Sequence, residues 1–224
     1  MFSGIAPRYD LLNHVLSLNI DKRWRRQVAE RLGDILERPE ASILDVACGT
    51  GDLSLELGKK TNAQIVGTDF CHPMLMRAKA KSQGTTRPIP LVEGDALALP
   101  FEDNSFDAAT IAFGLRNLAN LQSGITELGR ILKNEGRLVI LEFSHPVIPG
   151  FGRLFDLYFS KILPKIGGAV SGSYSAYEYL PNSVSRFPNQ QELAAEIESA
   201  GFTSVSYTNL TGGIAALHSG TKAI

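Results

Sequence analysis

The sequence is poor in cysteine, carries no excess of charge of either sign and contains no long apolar run. Only Cys48 and Cys71 are present among 224 residues, and their spacing fits neither a disulfide framework nor a metal site, so we expect small buried side chains and no metal. Lysine and arginine number 22 against 23 aspartates and glutamates, a net charge of -1. This balance excludes a global basic field that would attract nucleic acid.

Two further absences bear on location. No apolar run approaches the ~20 residues of a membrane-spanning helix, and the opening residues lack the cationic and apolar regions of a signal peptide. These absences predict a cytoplasmic protein. Because a single hydrophobic core can grow to ~250 residues before the chain divides into domains, we expect one domain over residues 1–224. Within it we expect N-terminal helices in residues 1–40 and a substrate-side helix and insertion in residues 145–188.

The most informative stretch is Ser42–Leu53, with the sequence SILDVACGTGDL. Its apolar residues predict a buried strand that ends at Asp45, and its glycines, Gly49 and Gly51, predict a turn in which the backbone approaches a ligand closely. A helix is expected to start at Asp52. A strand, a glycine turn and a helix in this order predict a pocket of the nucleotide-binding type.

Charge indicates which nucleotide the pocket holds. A dinucleotide fingerprint has glycine at its sixth position, where a pyrophosphate sits on the helix N-terminus, but here that position is Ser54. Asp45, four residues before Gly49, would repel a diphosphate and attract a cation. S-adenosylmethionine carries an ammonium and a sulfonium. Asp69, eighteen residues after Gly51, is placed to accept both hydroxyls of a ribose.

A third acid, Asp95, closes the apolar run PLVEGD, and with Ala96 it is expected to border the adenine. Each acid alone also fits a turn former or a helix cap. Three in succession, each at the end of a predicted parallel strand, favour a pocket for S-adenosylmethionine.

From Ser42 onward, alternating strand and helix patterns predict a parallel sheet with right-handed crossovers. After the first strand we expect, in order, helix Asp52–Lys60, strand Gln64–Thr68, helix Pro73–Ser82, a strand that ends near Asp95, strand Asp107–Phe113, helix Leu121–Leu132 and strand Arg137–Phe143. Near the carboxyl terminus, we expect a helix capped by Asn189 up to Ala200, followed by a hairpin of Ser204–Thr211 and Ile214–Thr221 around Gly212–Gly213 that adds an antiparallel strand.

Two helices are expected before the sheet, over Arg8–Leu18 and over Lys22–Leu36, the second capped by Asp21. Trp24 lies among the basic residues Lys22, Arg23, Arg25 and Arg26. Two interpretations stay open for this cluster: a solvated helix face, or a patch that rests on anionic lipid headgroups.

The segment after the fifth strand has helical spacing of apolar residues, ended by Pro164. Core packing and a lid over an apolar substrate both fit this stripe, which comprises Phe151, Leu154, Phe155, Tyr158, Phe159, Ile162 and Leu163. The following Gly167–Pro188 is interpreted either as a surface connection or as a substrate-facing insertion with the wall residues Tyr174, Tyr177, Tyr179 and Arg186.

The chain resembles the ubiquinone and menaquinone biosynthesis C-methyltransferases, because the segments LDVACGTGDL, ALPFEDNSFD, FGLRN, LVILEFSHP and YTNLTGGIAALHSG occur in this order. Its opening is most similar to the bacterial demethylmenaquinone methyltransferases. The resemblance implies a class I α/β fold, Rossmann-like, with a seven-stranded, mostly parallel sheet and an antiparallel strand in its C-terminal hairpin. It also implies S-adenosylmethionine as donor and a polyprenylated quinol as acceptor, either demethylmenaquinol or the benzoquinol of ubiquinone biosynthesis.

Carried over residue by residue, the resemblance implies cofactor contacts at Thr50, Asp69, Asp95 and Ala96. Many members have Asn at the position of Asp95, and a Ser contact of some relatives falls on Ala112, which we leave out.

A quinol carbon ortho to a hydroxyl becomes nucleophilic when that hydroxyl ionises, so the reaction needs alignment and a route for protons. Arg116 and Asn117 follow the fourth strand and are our candidates for stabilising the oxyanion and orienting the ring. For Arg116, an ion pair with a structural carboxylate is the alternative. Tyr9 is a further candidate on the substrate side, and His145 is either a base or a satisfied loop residue.

Three other functions share parts of this pattern. A nicotinamide-dependent oxidoreductase would have the same opening, but Ser54 and Asp45 argue against it. A nucleic-acid methyltransferase would bind phosphate through the basic cluster around Trp24, yet the chain has neither an Asn-Pro-Pro-aromatic motif nor a Pro-Cys nucleophile. A non-catalytic partner in a quinone pathway would keep the pocket only for structure. Peripheral membrane contact and homo-oligomer formation stay open.

Overall fold

Seven strands form one sheet in the computed structural model, which describes residues 19–59, 61–148 and 181–224. The strands are β1 (Ser42–Val46), β2 (Gln64–Asp69), β3 (Leu91–Glu93), β4 (Phe106–Ala112), β5 (Leu132–Phe143), β6 (Phe202–Leu210) and β7 (Ala215–Lys222). Their order across the sheet is β3-β2-β1-β4-β5-β7-β6. The first five pair in parallel, whereas β7 runs antiparallel to β5 and β6. The expected seven-stranded, mostly parallel sheet is confirmed.

The helices among the described residues precede, connect or follow these strands. They are α1 (Ile20–Arg31), α2 (Gly33–Leu36), α3 (Asp52–Gly58), α4 (His72–Ser82), α5 (Leu121–Ile131) and α6 (Gln190–Ser199), and single 3-10 turns lie at Leu115–Asn117 and Thr211–Gly213. In the part of the chain that the structure describes, we find no helix with the length and apolarity needed to cross a bilayer.

Apolar side chains pack on both faces of the sheet. Along β5, Leu138 and Ile140 belong to the cluster that contains α5 and α6, whereas Val139 and Leu141 belong to the cluster that contains α1, α2 and α3. This division follows from the two-residue period of a strand, which sends successive side chains to opposite faces. With both faces covered by helices, the carboxyl edge of the parallel strands stays available for a ligand.

The predicted amino-terminal helix is wrong in its extent and its cap. Two helices occupy the predicted Lys22–Leu36 range, because the chain leaves the helical conformation at Leu32. Asn19, with a φ of 61°, precedes the first of them, and Asp21 lies inside its first turn, where the carboxylate accepts a hydrogen bond from Arg25 at 2.6 Å.

Two predicted strand boundaries also need correction. β5 starts at Leu132 instead of Arg137, because a bulge between Phe106 and Ala108 lets the chain pair with β4 on both sides of the irregularity. β4 ends before Phe113, whose φ of 57° is incompatible with a strand. Neither feature leaves a periodic signal in the sequence.

The carboxyl-terminal helix and hairpin are confirmed. The Asn189 side chain accepts the backbone N–H groups of Gln191 and Glu192 at 2.9 and 3.0 Å, and the Glu192 side chain accepts the N–H of Asn189, which completes a capping box. The predicted helix Arg8–Leu18, the apolar stripe after β5 and the tyrosines of the insertion lie outside the described residues.

Candidate functional site

The turn between β1 and α3 bends through three left-handed residues, Ala47, Gly49 and Gly51, with φ values of 50°, 56° and 81°. A Cβ added to Gly49 would meet no atom within 4 Å, whereas one added to Gly51 would lie 3.1 Å from the Cβ of Ala78 in α4. Gly51 is therefore needed for packing. The backbone at Gly49 faces open space, as expected where a ligand approaches the chain closely.

Asp69 lies directly against this turn, and its contact with ribose hydroxyls stays a prediction. Its Oδ2 accepts the backbone N–H of Gly49 at 2.8 Å, and its Oδ1 accepts that of Cys71 at 2.8 Å. Burial raises the pKa of Asp69, and the backbone donors, that of Cys71 first, partly oppose this rise. The structure thus brings a carboxylate and the open glycine backbone together at the carboxyl edge of the sheet.

Asp45 lies beneath the turn and not on the surface of the cleft. The residue is 1% exposed, and its carboxylate oxygens accept the hydroxyls of Ser54 at 2.5 Å and Thr110 at 3.0 Å. Burial raises the pKa of Asp45 to about 6, against the opposing effect of these two hydroxyls. This placement corrects the expectation that the Asp45 carboxylate faces the ligand. The carboxylate instead links α3 to β4, since it accepts hydrogen bonds from Ser54 of α3 and Thr110 of β4. Ser54 binds this acid and so takes part in shaping the turn.

Thr50 is buried and accepts a hydrogen bond from the Lys81 ammonium at 3.2 Å. Lys81 also pairs with Asp52, the first residue of α3. Asp52 in turn pairs with Arg25 of α1 at 3.3 Å, and Arg25 pairs with Asp21 at 2.6 Å. Helices α1 and α4 are therefore linked through the start of α3. Arg25, which belongs to the basic cluster around Trp24, is buried and forms ion pairs within the protein.

Asp95 and Ala96 follow β3 at the same edge of the sheet. The exposed Asp95 accepts the backbone N–H of Leu97 at 2.9 Å, and Ala96 is buried. Phe70, which the sequence analysis did not single out, follows Asp69 and is 64% exposed.

The Arg116 guanidinium pairs with the buried Glu142 at the end of β5. Arg116 Nη1 lies 2.7 Å from Glu142 Oε1 and also donates to the carbonyl of Phe113 at 2.5 Å. The Asn117 side chain donates to the same carbonyl at 3.2 Å. Of the two interpretations of Arg116, the structure supports the ion pair with a carboxylate, and contact between Arg116 or Asn117 and a substrate stays a prediction. Sequence reasoning missed Glu142, since the partners are 26 positions apart.

An aromatic cluster lies beside this pair. The Trp24 ring centroid is 5.9 Å from that of Phe113 and 6.3 Å from that of Phe143, and its indole N–H donates to the hydroxyl of Thr211 at 3.0 Å. Trp24 is buried in this cluster, whereas its neighbours Lys22, Arg23 and Arg26 are exposed.

Three other candidates lie elsewhere. Tyr9 is outside the described residues. A ring nitrogen of His145, Nε2, is 3.1 Å from the carbonyl oxygen of Phe187, as in a satisfied loop residue, and Arg186 is exposed.

Comparison with known proteins agrees with the motif pattern. The profile described as the ubiE/COQ5 methyltransferase family matches residues 1–222. A demethylmenaquinone methyltransferase from Thermus thermophilus is 48% identical over 99% of this chain and 100% of its own length. A ubiquinone/menaquinone biosynthesis C-methyltransferase from Citrifermentans bemidjiense is also 48% identical, over 99% of this chain and 94% of its own.

Solved structures share the fold. A SAM dependent methyltransferase from Aquifex aeolicus has a TM-score of 0.62 and 17% identity over 88% of each chain. Phosphoethanolamine N-methyltransferase 2 of Haemonchus contortus, in complex with S-adenosyl-L-methionine, has a TM-score of 0.64 and 13% identity over 89% of this chain and 52% of its own. The fold that the resemblance implied is confirmed, and the chain belongs to the ubiE/COQ5 methyltransferase family.

Proposed function

We propose that the protein methylates a ring carbon of a polyprenylated quinol with S-adenosylmethionine, and that it converts demethylmenaquinol to menaquinol in menaquinone biosynthesis. The observation that carries this proposal is the 48% identity with a demethylmenaquinone methyltransferase over the full length of both chains. The benzoquinol of ubiquinone biosynthesis is the second candidate acceptor, since relatives at the same identity are named for both pathways.

The turn fits a cationic nucleoside better than a dinucleotide. The Gly49 N–H donates to Asp69, so it is not available to a phosphate, and the carboxylate would repel one. The Asp69 carboxylate has about four lone-pair sites, and its backbone donors, Cys71, Gly49 and Phe70, do not fill all of them, so an acceptor site remains for a ribose hydroxyl. Phe70, Asp95 and Ala96 border the expected position of the adenine. When bound, S-adenosylmethionine supplies a methyl group on a positively charged sulfur.

The residues of this chain then act on the acceptor. Ionisation of the ring hydroxyl activates the ortho carbon, which later loses its proton, and no side chain has to form a covalent bond. We assign Arg116 to the stabilisation of the ring oxyanion and Asn117 to the orientation of the ring, with Tyr9 on the substrate side. A fixed cation at the position of developing charge contributes to rate because it needs no reorganisation.

We further propose that the chain acts from the cytoplasm at the inner face of the membrane, because a polyprenyl tail keeps the acceptor in the bilayer. The exposed Lys22, Arg23 and Arg26 of α1 supply positive charge for anionic headgroups. Flotation with vesicles that contain anionic lipid should recover the protein, and recovery should fall with added salt. Equal recovery with neutral vesicles would exclude this electrostatic contact.

The function is tested by calorimetry and by methyl transfer. We expect S-adenosylhomocysteine to bind and NAD not to bind, and label from S-adenosylmethionine to appear on a short-chain demethylmenaquinol. Replacement Asp69→Asn should weaken S-adenosylhomocysteine about 10- to 100-fold, since a hydrogen bond to a charged group contributes about 1.5–3 kcal/mol. Asp34→Asn, an exposed acid paired with Arg137, is the control and should bind normally. Binding of NAD in place of S-adenosylhomocysteine would overturn the proposal.

A further inference from the structure

We propose that Glu142 is a positioning residue for the methyl transfer: it holds Arg116 by one guanidinium nitrogen and leaves the other donors of that group for the acceptor. This inference rests on the proposed function, because it concerns the same quinol. It goes beyond that function by naming a residue that touches neither the acceptor nor the cofactor.

Glu142 clamps both the side chain and the backbone of Arg116. It lies at the end of β5 and is 1% exposed. Its Oε1 accepts Arg116 Nη1 at 2.7 Å and the backbone N–H of Phe143 at 2.8 Å, while its Oε2 accepts the backbone N–H of Arg116 at 3.2 Å. One carboxylate therefore fixes the position of the Arg116 backbone and the direction of its guanidinium.

The Arg116 guanidinium does not use all of its hydrogen-bond donors in contacts with the protein. Nη1 makes the contacts to Glu142 and to the Phe113 carbonyl, and the guanidinium carbon lies 5.2 Å from the ring centroid of Phe143. The Arg116 side chain is 8% exposed, yet Nε is buried and has no hydrogen-bond partner among the described residues. A purely structural arginine–carboxylate pair is commonly bidentate, and buried donors without partners are rare. The guanidinium therefore keeps donor capacity that Glu142 and the Phe113 carbonyl do not use.

Arg116 also lies in the right part of the fold. Ala112 of β4 pairs with Leu141 of β5, so the residues that follow both strands meet at the carboxyl edge. A Cβ added to Gly114 would lie only 2.5 Å from the Cβ of Ala47, so the Arg116 turn packs against the glycine turn. The Arg116 donors are thus placed beside the site assigned to the methyl donor, which is where the acceptor carbon has to lie.

The test compares Glu142→Gln with a matched control. Glu142→Gln keeps the shape of the side chain and removes its charge. It also replaces one acceptor oxygen by an NH₂ group, which cannot accept a hydrogen bond from the N–H donors around it. The control is Asp107→Asn, which also removes the charge of a carboxylate that binds a cation and a backbone N–H. Asp107 accepts the Lys133 ammonium at 2.8 Å and the N–H of Ser42 at 2.9 Å, but it lies at the amino ends of the strands, away from the candidate site. We expect kcat for a short-chain demethylmenaquinol to fall tenfold or more in Glu142→Gln and less than twofold in Asp107→Asn.

Three measurements distinguish a positioning role of Glu142 from a purely structural one. The affinity for S-adenosylhomocysteine should change less than twofold, and the pH at which kcat reaches half of its maximum should rise by about one unit, because the ring oxyanion is less well stabilised. In an Arg116→Ala background, Glu142→Gln should lower kcat less than twofold further, since residues that act as one unit are not additive. If Glu142→Gln does not fold, Glu142→Asp takes its place in the test. It keeps the charge, and its kcat should lie between those of the wild type and Arg116→Ala.

An unchanged kcat and pH profile in folded Glu142→Gln, or a full further loss in the Arg116→Ala background, would overturn the positioning role while the proposed function stands. Wild-type protein that binds S-adenosylhomocysteine but methylates neither quinol would refute the proposed function and the positioning role together.

Discussion

Replacement of Asp45 by Asn should make the protein more stable at neutral pH. Asp45 is 1% exposed, and burial raises its pKa from the ordinary value of 3.8 to about 6. A folded-state pKa above the unfolded one means that the folded state binds more protons between these values. The free energy of unfolding therefore falls as pH rises through this window, and the whole penalty is present above about pH 6.

The size of the penalty follows from the two pKa values. The difference between 3.8 and about 6 corresponds to about 3 kcal/mol, at about 1.4 kcal/mol per tenfold change in proton affinity. Asn removes this cost and still serves both neighbours, because the hydroxyls of Ser54 and Thr110 can each donate or accept. Weaker hydrogen bonds offset about 1–2 kcal/mol. We therefore expect a net gain of about 1–2 kcal/mol above pH 6.

Urea unfolding of the wild type and of Asp45→Asn at pH 4, 5, 6 and 7.5 measures this effect. The gain from the substitution should be small or negative at pH 4 and should grow up to about pH 6. Asp34→Asn is the control: the Arg137 hydrogen bond lowers the pKa of Asp34 below its ordinary value of 3.8, so the stabilising effect of Asp34 is lost only at pH values below that range. Asp34→Asn should therefore leave the pH slope between pH 4 and 7.5 as it is in the wild type. The same pH slope in the wild type and in Asp45→Asn would refute the reasoning.

Substitutions at three further positions test the turn, the cap and the core. Gly51→Ala should lower the unfolding free energy by about 1–3 kcal/mol, because the φ of 81° and the 3.1 Å approach to Ala78 disfavour a Cβ, and an unchanged melting temperature would contradict this packing. Asn189→Ala should cost about 1 kcal/mol in urea unfolding through loss of the cap, whereas Asn189→Asp should cost little. Leu128→Ala removes a side chain that is 1% exposed and should cost about 2–5 kcal/mol; a loss below 1 kcal/mol would argue against a packed core on that face.

Several elements could be predicted from local patterns alone. The cap at Asn189, the helix from His72 to Ser82 and the glycine turn after β1 depend on residues within a few positions of one another. The break at Leu32 could not be predicted, since apolar residues continue with helical spacing into α2. The early start of β5 depends on a bulge in its pairing with β4, for which a single strand carries no signal.

The candidate site shows the same division. The sequence by itself determined the alternation of strands and helices and the turn at Gly49, because these depend on chain order and on side-chain period. Only the tertiary structure decided that Asp45 is buried under that turn and that Arg116 is held by Glu142. Burial and partner choice depend on contacts between distant positions, and desolvation by those contacts sets the charge state and the direction of each polar group.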